Sequence, residues 1–222
     1  MSEPPLVLEL SLGVSREELL RNLGYPPSHP PSRRVQRRLE VLVERAPDLV
    51  EARGACRFVT PSEAAAASVP RPTDPLGLGL CTIGPALERE GRALLRRGEM
   101  LDALLLDAYG SAAAEAAADA LNHRLCRAAR ARGLHLRPRF SPGYGRWNVR
   151  HQRQLLALLP AGELGVALTE GMMMVPRKSV SFAARMLAAP ATVRSAARRC
   201  RACDLADCDH REAAFAGPGQ DR

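Results

Sequence analysis

A chain of 222 residues, 46% of them hydrophobic, is long enough to bury the core of one sizeable domain. Its apolar runs, such as Leu104–Leu106 and Leu155–Leu159, are far too short to cross a bilayer, and the opening MSEPPLVLEL lacks the basic-then-apolar order of a secretion signal. No membrane is therefore expected, and the expected location is cytoplasmic. The net charge of +8 would suit a nucleic acid, yet all but one of the 32 basic residues are arginine, alanine is abundant, and aromatics make up only 4%. That combination follows from GC-rich codon usage, so the basic runs SRRVQRRLE and RSAARRCRA are read as solvated helix faces and no nucleic acid is expected.

In chain order, SREELLRNLGYPP carries a capping-box pattern, Ser15 three residues before Glu18, followed by apolar Leu19, Leu20 and Leu23 and a stop at Gly24. A proline-rich turn leads to Arg33–Ala46, where Val35, Leu39, Leu42, Val43 and Ala46 recur at helical spacing until Pro47. GACRFVT reads as a strand, and SEAAAASVPRPTDPLG as a loose connector. In LGLGLCTIGPALEREGRALLRRG a strand runs into a helix with Pro85 at its first turn. Gly77, Gly79 and Gly84 do not match either glycine-rich phosphate-binding spacing, and no lysine accompanies them.

Glu99–Arg130 is a long helical pattern interrupted only by Gly110 and Ser111, and its many small residues mark it as the buried spine. Glu115, Asp119 and His123 share one stripe of that helix; with no second helix pattern offering facing carboxylates or histidines, ion pairs or a solvated stripe are preferred over a metal site. The segment RPRFSPGYGRWNVRHQRQLLALL follows. Pro138 and Pro142 keep the backbone extended, Gly143 and Gly145 allow positive φ on either side of Tyr144, and Asn148 caps a helix with Leu155, Leu156, Leu158 and Leu159 on its apolar face. Two readings stand side by side. The segment is either a cradle for a small anionic or zwitterionic ligand, with the Arg139 fork on a carboxylate and Tyr144 as cover, or a tight turn with Tyr144 as a lid on the core.

Alternation over Leu164–Leu168 and a second β-like stretch from Ser179 to Phe182 predict two strands joined around MMMVPRK, with the contiguous methionines as core filler. Near its C-terminus the chain reads CRACDLADCDHR. Of its six cysteines, three fall in the last 23 residues, which argues for a reducing compartment rather than a disulfide framework. Cys200 and Cys203 at C-x-x-C spacing, with Cys208 and then His210, offer three sulfurs and one nitrogen to a metal, zinc before an iron–sulfur cluster. Arg198, Arg199 and Arg201 favour thiolates there, which also suits redox chemistry, and three free thiols are the alternative.

Taken together, RFSPGYGRW, QRQLLALL and LGVALTEGMMMVPRKSVS, with ELLRNLGY, CTIGPALE, EMLDALLLDAYGSAAAEAAADALN and the cysteine-rich end, resemble the activation domain of cobalamin-dependent methionine synthase, in its free-standing single-domain form. The resemblance implies an α+β fold, one domain over 1–222 with a twisted antiparallel sheet packed by helices and a cysteine-rich tail at about 198–222. It implies S-adenosylmethionine along the Arg-x-x-Pro-Gly-Tyr segment: Arg139 on the ligand carboxylate, the backbone near Phe140 against its adenine, Gly143 and Tyr144 beside it, and Glu170 in the Thr-Glu-Gly that stands where the family has Thr-Glu-Ser. The long form's acidic ligand contact, from an N-terminal segment, has no recognised counterpart in this shorter chain.

The implied task is reactivation. S-adenosylmethionine serves as methyl donor while an electron donor, of flavodoxin type or another, reduces an oxidised cobalamin. The chain has no D-x-H-x-x-G motif of its own, so cobalamin would be supplied by a partner, a methionine synthase or another corrinoid protein. A corrinoid-protein or metal-binding accessory that does not bind the methyl donor is the alternative.

Overall fold

The computed structural model describes residues 4–25, 29–70, 73–145 and 147–188. The predicted metal ligands Cys200, Cys203 and Cys208 lie outside the described residues.

At the centre is a five-stranded antiparallel sheet. Its strands are β1 (Leu6–Glu9), β2 (Arg53–Val59), β3 (Leu76–Thr82), β4 (His135–Leu136) and β7 (Ser179–Leu187), in the order β1-β2-β3-β7-β4. Strand β3 is buried along its whole length, as a central strand covered on both faces must be. The expected strand at GACRFVT is β2, whereas β1 goes unread in the sequence because four half-exposed edge residues give no clear alternation.

On one face lies α5 (Met100–Arg130), unbroken by Gly110 and Ser111, with α1 (Arg16–Asn22), α2 (Arg33–Arg45) and α4 (Ala86–Arg96) around it. Ser15 accepts from the Glu18 amide, as the sequence promises, and Ser32 caps α2 by accepting from that of Val35. Alanines line the buried side of α5, so the helix lies close on the sheet. Glycines on the strands make further room. A Cβ at Gly79 would stand 2.4 Å from Phe182 Cζ on the neighbouring strand, and one at Gly77 would stand 3.3 Å from Leu125 of α5. These glycines serve packing inside a strand, not a phosphate loop.

The expected loose connector contains α3 (Pro61–Ala66). Its capping box is complete: the Thr60 hydroxyl accepts from the Glu63 amide while the Glu63 carboxylate accepts from the Thr60 amide. With α6 (Gln152–Ala157) it covers the other face, where Leu78, Leu80, Leu155, Leu156 and Trp147 form a second apolar cluster. The buried Gln152 side chain ties α6 to the sheet through a 2.9 Å bond to Ser181.

The predicted pair of strands around the methionine run is rearranged. Ala167–Leu168 (β5) pairs with Met174–Val175 (β6) inside that run, forming a separate hairpin, while β7 joins the main sheet beside β3. No helix among the described residues is long and apolar enough to cross a membrane.

Candidate functional site

The segment after α5 runs antiparallel to β7, and its register slips by one residue. Leu136 is opposite Met186, but Phe140 is opposite Ala183, so Arg137–Arg139 carry one residue more than the strand they face. The ladder resumes with Phe140 and Ala183 exchanging backbone bonds of 2.9 and 2.8 Å. Pro138 lies within this bulge, where its missing N–H costs no ladder bond.

Adjacent side chains of a strand take opposite faces, and the slip decides which residue takes which. Phe140 turns to the α6 face, with its ring 5.3 Å from that of Trp147. Arg139 turns to the α5 face, over the Phe182 ring at 5.8 Å, and spans two carboxylates of α5: Glu115 at 2.6 Å and Asp119. Of the two alternatives expected for the helical stripe, ion pairs or a solvated face, Glu115 and Asp119 take the first, and their partner is the arginine singled out as a ligand contact. His123, the third member, is exposed.

A fourth charge joins from the N-terminal part of the chain. Glu18 of α1 titrates above the usual carboxylate range, first because burial removes water from it and then because Asp119 and Glu115 repel its charge; Arg21 and Arg139 pull the other way. Sequence reasoning placed Glu18 only in a cap. Its second role is tertiary, since nothing along the chain connects residues so far apart.

Beyond Phe140 the chain makes a closed loop. Gly143 donates to the Trp147 carbonyl at 2.7 Å and Trp147 to the Tyr144 carbonyl at 3.1 Å. Gly143 has φ +93, and a Cβ there would meet only ordinary contacts near 3.7 Å, so the left-handed backbone rather than space calls for glycine. Tyr144 stands at the tip, 77% exposed, while Trp147 is 2% exposed. The core lid is therefore Trp147, and the reading of Tyr144 as a lid is overturned. The Trp147 indole nitrogen is buried and finds no acceptor among the described residues. Asn148 does cap, accepting from the Arg150 amide at 2.9 Å, but it starts a short 3-10 turn that leads into α6.

Glu170 sits exposed in the turn of the β5–β6 hairpin, a turn closed by bonds between Thr169 and Met173. It makes no hydrogen bond or ion pair with the Arg139 cluster. The structure thus joins Arg139 to Glu115 and Asp119 with Glu18 nearby on the α5 face, sets Phe140 against Trp147 of the Gly143–Trp147 loop on the other face, and leaves Glu170 on a separate hairpin. No group of three or more potential metal ligands occurs among the described residues.

Chemically, the unit is an arginine fork countered by three carboxylates, beside a loop with an exposed aromatic tip. Acids in excess over bases suit a ligand that brings both a carboxylate and positive charge.

No model of a known protein family matches the sequence, and no curated protein matches it. Among solved structures, the chain is similar to the crystal structure of the MetH reactivation domain bound to AdoHcy. The two share 14% identity with a TM-score of 0.64, over 82% of this chain and 78% of that one. The chain has the α+β fold of that reactivation domain.

Proposed function

We propose that this chain binds S-adenosylmethionine at the Arg139 bulge and serves as a reactivation subunit. In this role it offers the methyl group to the cobalamin of a separate methionine synthase or related corrinoid methyltransferase. The observation that carries the reading is the position of Arg139: one extra residue in the strand turns its guanidinium out of the apolar core and into a cluster of carboxylates.

The charges of the ligand fit that cluster. Its carboxylate can replace Glu115 and Asp119 on the Arg139 fork, and the carboxylates so released, with Glu18, face its ammonium and sulfonium groups. Exchange of this kind keeps every charge partnered, which is why the bound state need not leave a buried ion alone. Tyr144 lies exposed at the tip of the loop that follows Phe140, where its ring is free to cover a flat purine. Cobalamin supplies the cobalt that accepts the methyl group, and its one-electron reduction falls to an electron donor of flavodoxin type or another class. The contribution of this chain is to hold and orient the donor.

Calorimetric titration of the purified chain with S-adenosylmethionine tests the reading. Arg139→Ala should weaken binding by about 2–3 kcal/mol, on the order of a hundredfold, as expected for loss of a charge-assisted fork. Arg139→Lys should restore only part of it, since an ammonium keeps the charge but not the planar pair of donors. Affinity unchanged in Arg139→Ala would overturn the assignment. For the partner, a methionine synthase inactivated by cobalt oxidation should regain turnover only when the chain, S-adenosylmethionine and a reductant are all present; recovery without the methyl donor would refute the role.

A further inference from the structure

Between α4 and the first two turns of α5 runs an open groove of about 560 Å³. Three of the side chains that line it, Leu95 of α4 and Met100 and Leu104 of α5, are each more than half exposed. Single exposed apolar side chains are ordinary on a protein surface, but three gathered along one groove form a patch that water does not favour.

The floor of the groove is opened by a glycine that the fold itself does not require. Two glycines stand inside helices among the described residues, Gly110 of α5 and Gly91 of α4. A Cβ at Gly110 would come within 2.8 Å of Leu87, so that glycine lets α4 lie against α5. At Gly91 a Cβ would meet nothing within 4 Å, and the backbone is helical, so a larger residue would fit and would suit the helix better. What Gly91 leaves is a notch, and Leu95 projects from the same helix face one turn further on.

We propose that this groove is where two copies of the chain associate, α4 against α4 and antiparallel, about a two-fold axis passing midway between positions 91 and 95. A knob and a notch one turn apart are used twice by such an axis: Leu95 of each copy enters the notch at Gly91 of the other, with Leu104 and Met100 closing around the pair. The charges on α4 agree with the same arrangement. Its first turn carries Glu88 and its last turn Arg96, so antiparallel helices set an acidic turn beside a basic one at both ends of the contact, and oppose their dipoles as well. The proposal does not rest on the assignment of the Arg139 cluster, since the groove ends at Asp107, about two turns before Glu115.

Sedimentation equilibrium of the full chain, over concentrations rising to about 300 μM, provides the test. The mass should climb from one chain of 24.0 kDa toward two and stop there, because a two-fold contact closes on itself. Leu104→Glu, a good helix former that places a charge in the contact, should weaken association by roughly tenfold or more and leave the circular dichroism unchanged. Gly91→Gln separates the interface from the fold. It should raise the melting temperature of the dilute monomer, since glutamine is the better helix residue, and yet weaken association by roughly tenfold or more by filling the notch. Arg96→Glu should weaken association severalfold by setting like charges against each other. A mass of one chain at every concentration would overturn the proposal and leave the groove to another occupant. So would a mass that grows beyond two chains, a dimer indifferent to Leu104→Glu or Gly91→Gln, or a Gly91→Gln monomer that melts earlier than the parent.

Discussion

On the α5 face, the sheet presents glycine, cysteine and the rings of Phe182 and Phe58, and the helix above it presents mostly alanine with a few leucines. The opposite face is filled by leucines and Trp147 beneath two short helices. The first arrangement brings backbones close together, so the charged side chains at its margin, Arg139 with its carboxylates, are held against rigid elements. The second is a packed apolar core whose charged contact is the Arg57–Glu63 pair, tied to the Leu158 carbonyl. Close packing of small residues gives the charged groups their fixed positions, and bulk on the far side stabilises the sheet from which they project.

The largest effect should come from the bulky face. Trp147→Ala empties a fully buried site and removes the ring against Phe140, so it should cost about 3–5 kcal/mol in urea unfolding. A loss below about 1 kcal/mol would show that the second cluster is not the stabilising one.

The close-packed face is broken by addition, not removal. Gly79→Ala drives a Cβ into the Phe182 ring and should cost about 1–3 kcal/mol; Phe182→Leu in the same chain should return part of that, measured as a double-mutant cycle. Strict additivity would mean that the glycine serves something other than the ring.

Tyr144→Ala sharpens the contrast between packing and binding. The side chain is exposed, so the melting temperature should stay put, while S-adenosylmethionine binding weakens by about 1 kcal/mol, severalfold. A change in the melting temperature would make Tyr144 part of the core after all.

The smallest effect is electrostatic and depends on pH. Because the Glu18 carboxyl is raised in the folded chain, the fold binds more protons than the unfolded chain between the ordinary glutamate value and the raised one. Stability should therefore fall as pH rises through that window. The penalty is complete above the raised value and absent below the ordinary one. Glu18→Gln should be slightly more stable than the parent at neutral pH and lose its advantage in acid, read from melting curves at several pH values; solvent screening at this half-buried site keeps the gain modest.

Much of the fold was legible because its signals are local. Periodicity at Val35, Leu39 and Leu42 gives α2, Ser15 caps α1, and the run of alanines gives the buried face of α5. The missed helix α3 carried an equally local signal, Thr60-Pro61-Ser62-Glu63, a capping box with proline at the first helical position. The hairpin of β5 and β6 was misread because strand pairing is decided by what lies across space, and two-residue strands hold no period to read. In the candidate site, Arg139 and Tyr144 stood out by residue type and by the prolines and glycines around them. That Arg139 answers Glu115 and Asp119, with Glu18 alongside, depends on the register of one strand, which no spacing along the chain encodes.

The extra residue in that strand has a consequence of parity. Side chains on a strand alternate, so with the pairing of Leu136 and Met186 continued unbroken, Arg139 would fall opposite Ala183 and point into the leucine and tryptophan core, and Phe140 would point toward the acidic stripe of α5. The chain holds both residues in the right order but on the wrong beat, and the inserted residue corrects the beat. Any homologous strand that gains or loses a single residue between these two pairs exchanges a cation for a ring at the site, while every other position of the sequence stays the same. For a protein of this fold, the length of the stretch between Leu136 and Phe140 is thus as much a chemical specification as the identity of Arg139 itself.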